Sequence, residues 1–262
     1  MQFAFDLISD LHIETWPQFD WKDQATSPFC VVAGDIAKDR QVVYDTLRHL
    51  SECYQAVFYI DGNDEHINFM SDLGGSYEHL TEMIGGLNNV VYLQDNVVVI
   101  DGVAIVGTNG WWTYDFEFGV DVEQSQAWWR DKHQLSTSQG RLPVKMGTTD
   151  ATYMVASIKR LQTHNDVKKI VCVTHTVPNP DLISHDIDLS GTHRLNCMGN
   201  RYMTEVLGAD TEHKLHTWCF GHYHGSIDQT RNSVRYVNNC RGRGDTQYSQ
   251  YVYYPKRIVI DF

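Results

Sequence analysis

Five times along this chain a short apolar run stops at a cluster of acid, amide and histidine side chains: Asp10-Leu11-His12, Gly34-Asp35, Gly62-Asn63-Asp64-Glu65-His66, Thr174-His175 and Gly221-His222-Tyr223-His224. Short apolar runs that end in polar, Gly-containing turns read as buried strands. A chain that repeats this unit is tightly constrained. If the strands lie side by side, every cluster arrives at the carboxyl edge of a sheet, and groups far apart in sequence meet in space.

The rest of the chain supports such a sheet. Residues 3–8, 29–33 and 56–60 are strand-like, and residues 40–54 space Val43, Leu47 and Leu50 at helical intervals, as in βαβ units. Strand-like runs at 90–93, 97–100 and 103–107 are then separated by Gln94-Asp95-Asn96 and Asp101-Gly102, both of which read as hairpin turns. Residues 110–147 hold Trp111, Trp112, Tyr114, Phe116, Trp128 and Trp129, and read as an irregular aromatic insertion over one side of the site. Residues 149–164 read as a helix with Thr149 or Asp150 as its N-cap, and strand-like runs follow at 169–174, 217–220, 234–237 and 257–260. No repeat, linker or low-complexity stretch divides residues 1–262, so we expect one α/β (α+β) domain of two packed sheets flanked by helices.

Composition narrows the function. With 262 residues and 42% hydrophobic content the chain can bury a substantial core. Its formal charge of −12 argues against a surface that tracks a nucleic-acid backbone, and part of the acid excess is accounted for if carboxylates hold cations. The six cysteines have no CxxC spacing and read as reduced, structural thiols. Neither a basic, apolar leader nor a long apolar span is present, so the expectation is a soluble, cytoplasmic protein without a membrane partner. The pattern sets no oligomeric state.

A cation pair that activates water needs anionic oxygen to neutralise charge, imidazole for geometry, and one carboxylate that bridges both ions. Asp10 and His12 flank a residue that points the other way, so both can face one ion. Gly34 lets the backbone turn tightly and bring Asp35 to its strand's edge. Asn63 can offer an amide oxygen, His175 ends a strand, and His222 and His224 alternate just after another.

Together these clusters resemble the calcineurin-like metallophosphoesterase family, whose pattern runs DxH, GD, GNH(D/E), H and GHxH. It is matched here by Asp10/His12, Gly34/Asp35, Gly62/Asn63, His175 and Gly221/His222/His224, over residues 10 to about 242. The resemblance implies a four-layer αββα sandwich of two mixed β-sheets with a dimetal site at the strand ends. Asp10, His12, Asp35 and His224 would bind one divalent ion and Asp35, Asn63, His175 and His222 the other. Manganese comes first among candidates, with Fe, Zn or Ni as alternatives. The implied activity is hydrolysis of a phosphodiester or phosphomonoester, with a small nucleotide-type substrate slightly favoured, by in-line attack of a water ionised between ions roughly 3.5 to 4 Å apart.

One position departs from the family pattern. The histidine that usually follows the Asn, held to contact the scissile phosphate or protonate the leaving oxygen, is Asp64 here. An imidazole titrating at about 6.5 suits that task better than a carboxyl at about 3.9. Asp64 could act protonated, His66 could substitute, the leaving group could need little help, or turnover could be poor. Trp111 and Trp112 are candidates to wall the substrate, and Arg241, with Arg243 on the same Gly-rich loop, to clamp its phosphate. The competing readings are a non-catalytic or weakly active binding or scaffold protein of the same fold, and a protein phosphatase.

Overall fold

The computed structural model describes residues 2–16, 20–117, 119–186, 188–189, 191–244 and 252–262. Strands β1 (Gln2–Ile8), β2 (Phe29–Ala33), β3 (Ala56–Ile60) and β4 (Val90–Tyr92) run parallel as neighbours. A second sheet follows from β5 (Asn96–Ile100), β6 (Val103–Gly107), β7 (Lys169–Val173), β8 (Leu215–Phe220), β9 (Asp228–Arg231) and β10 (Val234–Asn238), in the order β5-β6-β7-β8-β10-β9. Its four inner strands are parallel, and β5 and β9 add antiparallel edges. The last strand, β11 (Lys256–Asp261), returns antiparallel to β1 and completes the first sheet.

Four layers result from side-chain alternation. The odd positions of β1, Phe3, Phe5 and Leu7, with Val31, Ala33, Phe58 and Ile60, pack against Val103, Ile105, Val171, Val173, Cys219 and Val237 of the second sheet. The opposite face of the first sheet, including Cys30, Val32, Val57 and Tyr59, takes Val43, Leu47 and Leu50 of α1 (Arg40–Cys53) and Leu80 and Ile84 of α2 (Leu73–Gly85). Beyond the second sheet, after α3 (Val122–Lys132) and α4 (Thr137–Gly140), α5 (Leu142–Gln162) and α6 (Glu205–Ala209) bring Met154, Ile158 and Val206 onto Ala104, Cys172, Trp218 and Tyr236. Central strands buried on both faces have to be nearly all apolar, which is why they stand out as continuous runs. Among the described residues no helix is long and apolar enough to cross a membrane, and no disulfide forms; five of the six cysteines are buried.

Three local expectations are corrected. Gln94-Asp95-Asn96 is not a hairpin: β4 and β5 belong to different sheets, and the segment crosses between them. The Asp101-Gly102 turn does join β5 to β6, with both residues left-handed at φ 50° and 82°, as a tight hairpin requires. Residues 110–147 are largely helical rather than irregular, because the Asp121 carboxylate caps α3 and a Ser136/Gln139 capping box starts α4.

The third correction concerns α5. The helix begins at Leu142 with Pro143 in its first turn, so Asp150 lies mid-helix. Its buried carboxylate accepts from the backbone N–H of Gly110 (2.8 Å) and Trp111 (3.1 Å), binding the loop after β6 to the helix. Burial pushes this carboxyl up to about 7. The folded protein therefore holds a proton there that the unfolded chain releases near about 3.9, and stability falls as pH rises between those values. Asp150→Asn should gain about 2 kcal/mol on the wild type between pH 5 and pH 8, measured by urea unfolding at each pH. Parallel curves for the two proteins would refute the raised pKa.

Candidate metal centre

Each motif lies just past the carboxyl end of a strand: Asp10 and His12 after β1, Asp35 after β2, Asn63 after β3, His175 after β7, and His222 and His224 after β8. Packing the two sheets face to face brings these ends together. Asp10, His12 and His224 form one group and Asp35, His175 and His222 a second, the ligand atoms of each lying within 4.8 Å of one another. In the first, His224 Nε2 is 3.2 Å from both Asp10 Oδ1 and His12 Nε2. In the second, His175 Nε2 lies 3.4 Å from Asp35 Oδ1 and 3.2 Å from both His222 Nδ1 and Asn63 Oδ1. Asp35 joins them, since its Oδ2 is 3.9 Å from His12 Nε2.

Hydrogen bonds to backbone carbonyls aim the imidazoles. His175 Nδ1 donates to Ala33 O (2.9 Å) and His222 Nε2 to Cys197 O (3.0 Å), so the opposite nitrogen of each ring presents its lone pair to the cluster. Two such nitrogens 3.2 Å apart repel unless a proton or a cation lies between them. Burial alone would lower the His175 pKa, but the adjacent Asp35 carboxylate raises it to about 10, so that a proton takes the place between the rings that a cation would fill, and His222, buried beside the His175 imidazolium, falls to about 4. Burial likewise opposes the charge on Asp35, yet His175 and His12 hold it well below the usual carboxylate range. Carboxylates kept ionised and imidazole lone pairs turned inward fit a pair of divalent cations, with Asn63 supplying a neutral oxygen.

The backbone is bent to achieve this. Asp10, His12, Asp35 and His222 are left-handed, at φ 50°, 42°, 52° and 63°, a conformation that costs a non-glycine residue about 1–2 kcal/mol. Strain concentrated on four residues of one cluster is characteristic of a functional site. A Cβ on Gly221 would lie 2.5 Å from Ala33 O and 2.6 Å from Asp10 Oδ2, so only glycine lets β8 end against the Asp10 ligand. Gly221→Ala should weaken metal loading at least about tenfold, read by isothermal titration with Mn²⁺. Wild-type affinity in a folded variant would contradict the assigned packing. Glu65, which fills the acidic last position of the GNH(D/E) pattern, ties two motif loops together: its carboxylate accepts from the N–H of Gly62 (2.8 Å), Asp35 (3.2 Å) and Ile36 (2.7 Å).

The cluster floors a cleft of about 140 Å³, walled by Trp112, Trp128 and Trp129 and edged by Lys132, Arg194 and Arg243. Trp112 stacks on His222, ring centroids 5.5 Å apart and planes 14° off parallel. Trp111 does not reach the cleft; it is fully buried with its indole N–H on Tyr77 Oη (2.7 Å). Arg241 is also turned away, its guanidinium 4.1 Å over the Trp16 ring. Gly242, left-handed at φ 78°, reverses the loop so that Arg243 enters the cleft instead.

His66 stands apart from the metal groups. It is fully buried, with Nε2 on Asp61 Oδ2 (2.8 Å) and Nδ1 on Ser76 Oγ (2.7 Å), so neither ring nitrogen can serve a substrate. Asp64 does face the cleft. Its Oδ1 accepts from Asn63 Nδ2 (3.1 Å), and its Oδ2 pairs with Arg243 Nη2 and lies 3.4 Å from His12 Nδ1. Where the family pattern has an imidazole, this chain has a carboxylate that holds an arginine.

No family model and no curated protein matches this sequence. Solved structures do. The phosphopantetheinyl hydrolase PptH of Mycobacterium tuberculosis superposes with a TM-score of 0.68 at 20% identity, over 92% of this chain and 90% of that one. The fold is shared. A Staphylococcus aureus protein named as a 5′-nucleotidase matches at TM-score 0.51 and 16% identity, over all of this chain and 51% of its own, and Plasmodium GAP50, named as the anchor in the inner membrane complex, at 0.52 and 12%, over 95% and 75%.

Proposed function

We propose that this protein is a dimetal-dependent phosphoric ester hydrolase acting on a small phosphodiester or phosphomonoester, with nucleotide-type substrates favoured. The observation that carries this reading is Asp35, whose two oxygens face two separate groups of inward-turned ligands. Divalent cations held there, manganese first, supply water ionised near neutral pH and polarisation of the phosphoryl oxygens.

The chain's own side chains do the rest. Arg243, anchored by Asp64, offers guanidinium N–H donors to a phosphoryl group, a geometry suited to bidentate binding. Asp64 is on this reading a positioning residue, and Trp128, the partly exposed member of the tryptophan wall, gives an apolar face on which a base can stack. Two of the structural neighbours are named as hydrolases of phosphate esters, whereas GAP50 is named for anchoring, so the fold alone does not decide between enzyme and scaffold. A complete set of seven donors favours the enzyme. Hydrolysis of p-nitrophenyl phosphate and bis-p-nitrophenyl phosphate should appear with added Mn²⁺ and vanish with EDTA; no metal-dependent turnover of either ester would leave the scaffold reading in its place.

A further inference from the structure

The mouth of the cleft is cationic in a protein of net charge −12. Three separate segments each deliver one cation to it: Lys132 ends α3, Arg194 precedes the short 3-10 turn Leu195–Cys197, and Arg243 follows β10. Among the described residues, no carboxylate lies within ion-pair distance of Lys132 or Arg194; the nearest aromatic face to Lys132 is Trp128, 5.0 Å from its Nζ. Partial desolvation of its ammonium and the charges of Arg194 and Arg243 lower the Lys132 pKa, so these cations repel one another as they stand. Such an arrangement is stabilised by a multiply charged anion.

The same cleft is poor in imidazole and carboxyl groups free to protonate a leaving oxygen. Asp64 is engaged by Arg243 and Asn63, His12, His222 and His224 belong to the metal groups, and His133, half-buried beside Lys132, falls to about 4. A leaving alkoxide needs a proton in the transition state, since its conjugate acid has a pKa near that of water, about 15.7. A leaving phosphate oxygen, with a pKa of about 6, does not.

Building on the hydrolase reading above, we infer that the bond this cleft is made to cleave is a phosphoanhydride, the departing group being a second phosphate held by Lys132 and Arg194, while Arg243 keeps the phosphoryl group under attack. In the step, a water oxygen bonds to the phosphorus over the metal groups and the bond from that phosphorus to the bridging oxygen breaks. The electron pair stays on the bridging oxygen, which leaves as an oxygen of the second phosphate, and the protons of the water pass to the product phosphates and to solvent. Cations around the second phosphate stabilise the charge it gains and take the place of an acid.

The test is steady-state hydrolysis by the full chain with Mn²⁺, comparing ADP, AMP and p-nitrophenyl phosphate. ADP should exceed AMP in kcat/KM by about 100-fold or more, and Lys132→Gln and Arg194→Gln should each lower the ADP value about tenfold or more while lowering the p-nitrophenyl phosphate value at least fivefold less. Both residues are exposed at the rim, and thermal melts check that the variants fold. As a readout independent of turnover, methylenediphosphonate should bind more tightly than phosphate, and the double variant should lose that preference. AMP turned over as well as ADP, or variants that lose all substrates equally, would overturn the phosphoanhydride inference alone. Silence on all three substrates and on bis-p-nitrophenyl phosphate would overturn the hydrolase reading and this inference with it, whereas turnover of the diester alone would overturn only the inference.

Discussion

Asp35→Asn is expected to lower metal-dependent ester hydrolysis by at least about 10³-fold, equivalent to about 4 kcal/mol of transition-state stabilisation. Asparagine keeps the size of the side chain but replaces one oxygen with an amide nitrogen that has no lone pair to give. Asp35 is the group whose two oxygens face His12 on one side and His175 on the other, so the variant can serve one cation at most. His175 also loses the partner that raises its pKa. Metal analysis of the purified variant should show fewer than two ions per chain, with the fold retained because the Asp35 N–H still reaches Glu65. Two bound ions with wild-type turnover would sink the bridging assignment.

The second large effect concerns the pair Asp64 and Arg243 in the cleft. Arg243→Ala should reduce kcat/KM for p-nitrophenyl phosphate by about 10²-fold, the scale of removing one preorganised donor from a developing charge. Asp64→Ala should cost nearly as much, and the double variant little more than either single one, because carboxylate and guanidinium act as a unit. Asp64→His should keep both ions, since all seven assigned ligands are untouched. Loss of metal from that variant would make Asp64 a ligand, and strictly additive losses in the cycle would separate the two side chains.

Much of the candidate metal centre is legible in the sequence itself. The chemistry of cation binding demands particular residue types, and the ends of buried parallel strands have a local signature of apolar run, glycine and ligand, so Asp10, His12, Asp35, Asn63, His175, His222 and His224 stand out together. Hairpin signals are less reliable. Asp101-Gly102 carries its conformation in its own two residues, but whether the strands on either side of Gln94-Asp95-Asn96 pair with each other depends on what the neighbouring strands offer. Asp150 misleads for a similar reason: a residue suited to capping a helix caps the loop of another element instead.

What tertiary structure alone decided is which of two near neighbours faces the chemistry. Arg243 rather than Arg241, Trp112 rather than Trp111, and Asp64 rather than His66 line the cleft. For the first two the choice depends on a distant partner, Trp16 or Tyr77, that draws the other side chain away, and for the third on Asp61, five residues from His66 and itself held by Asn109. Lys132 and Arg194 belong to no motif and gain meaning only because two unrelated segments meet at one rim. By itself the sequence determined the ligand types and their places at strand ends, since coordination and strand termination are local. The packing of separate segments decided what surrounds a substrate, because the direction of a side chain is settled by long-range burial and hydrogen bonding.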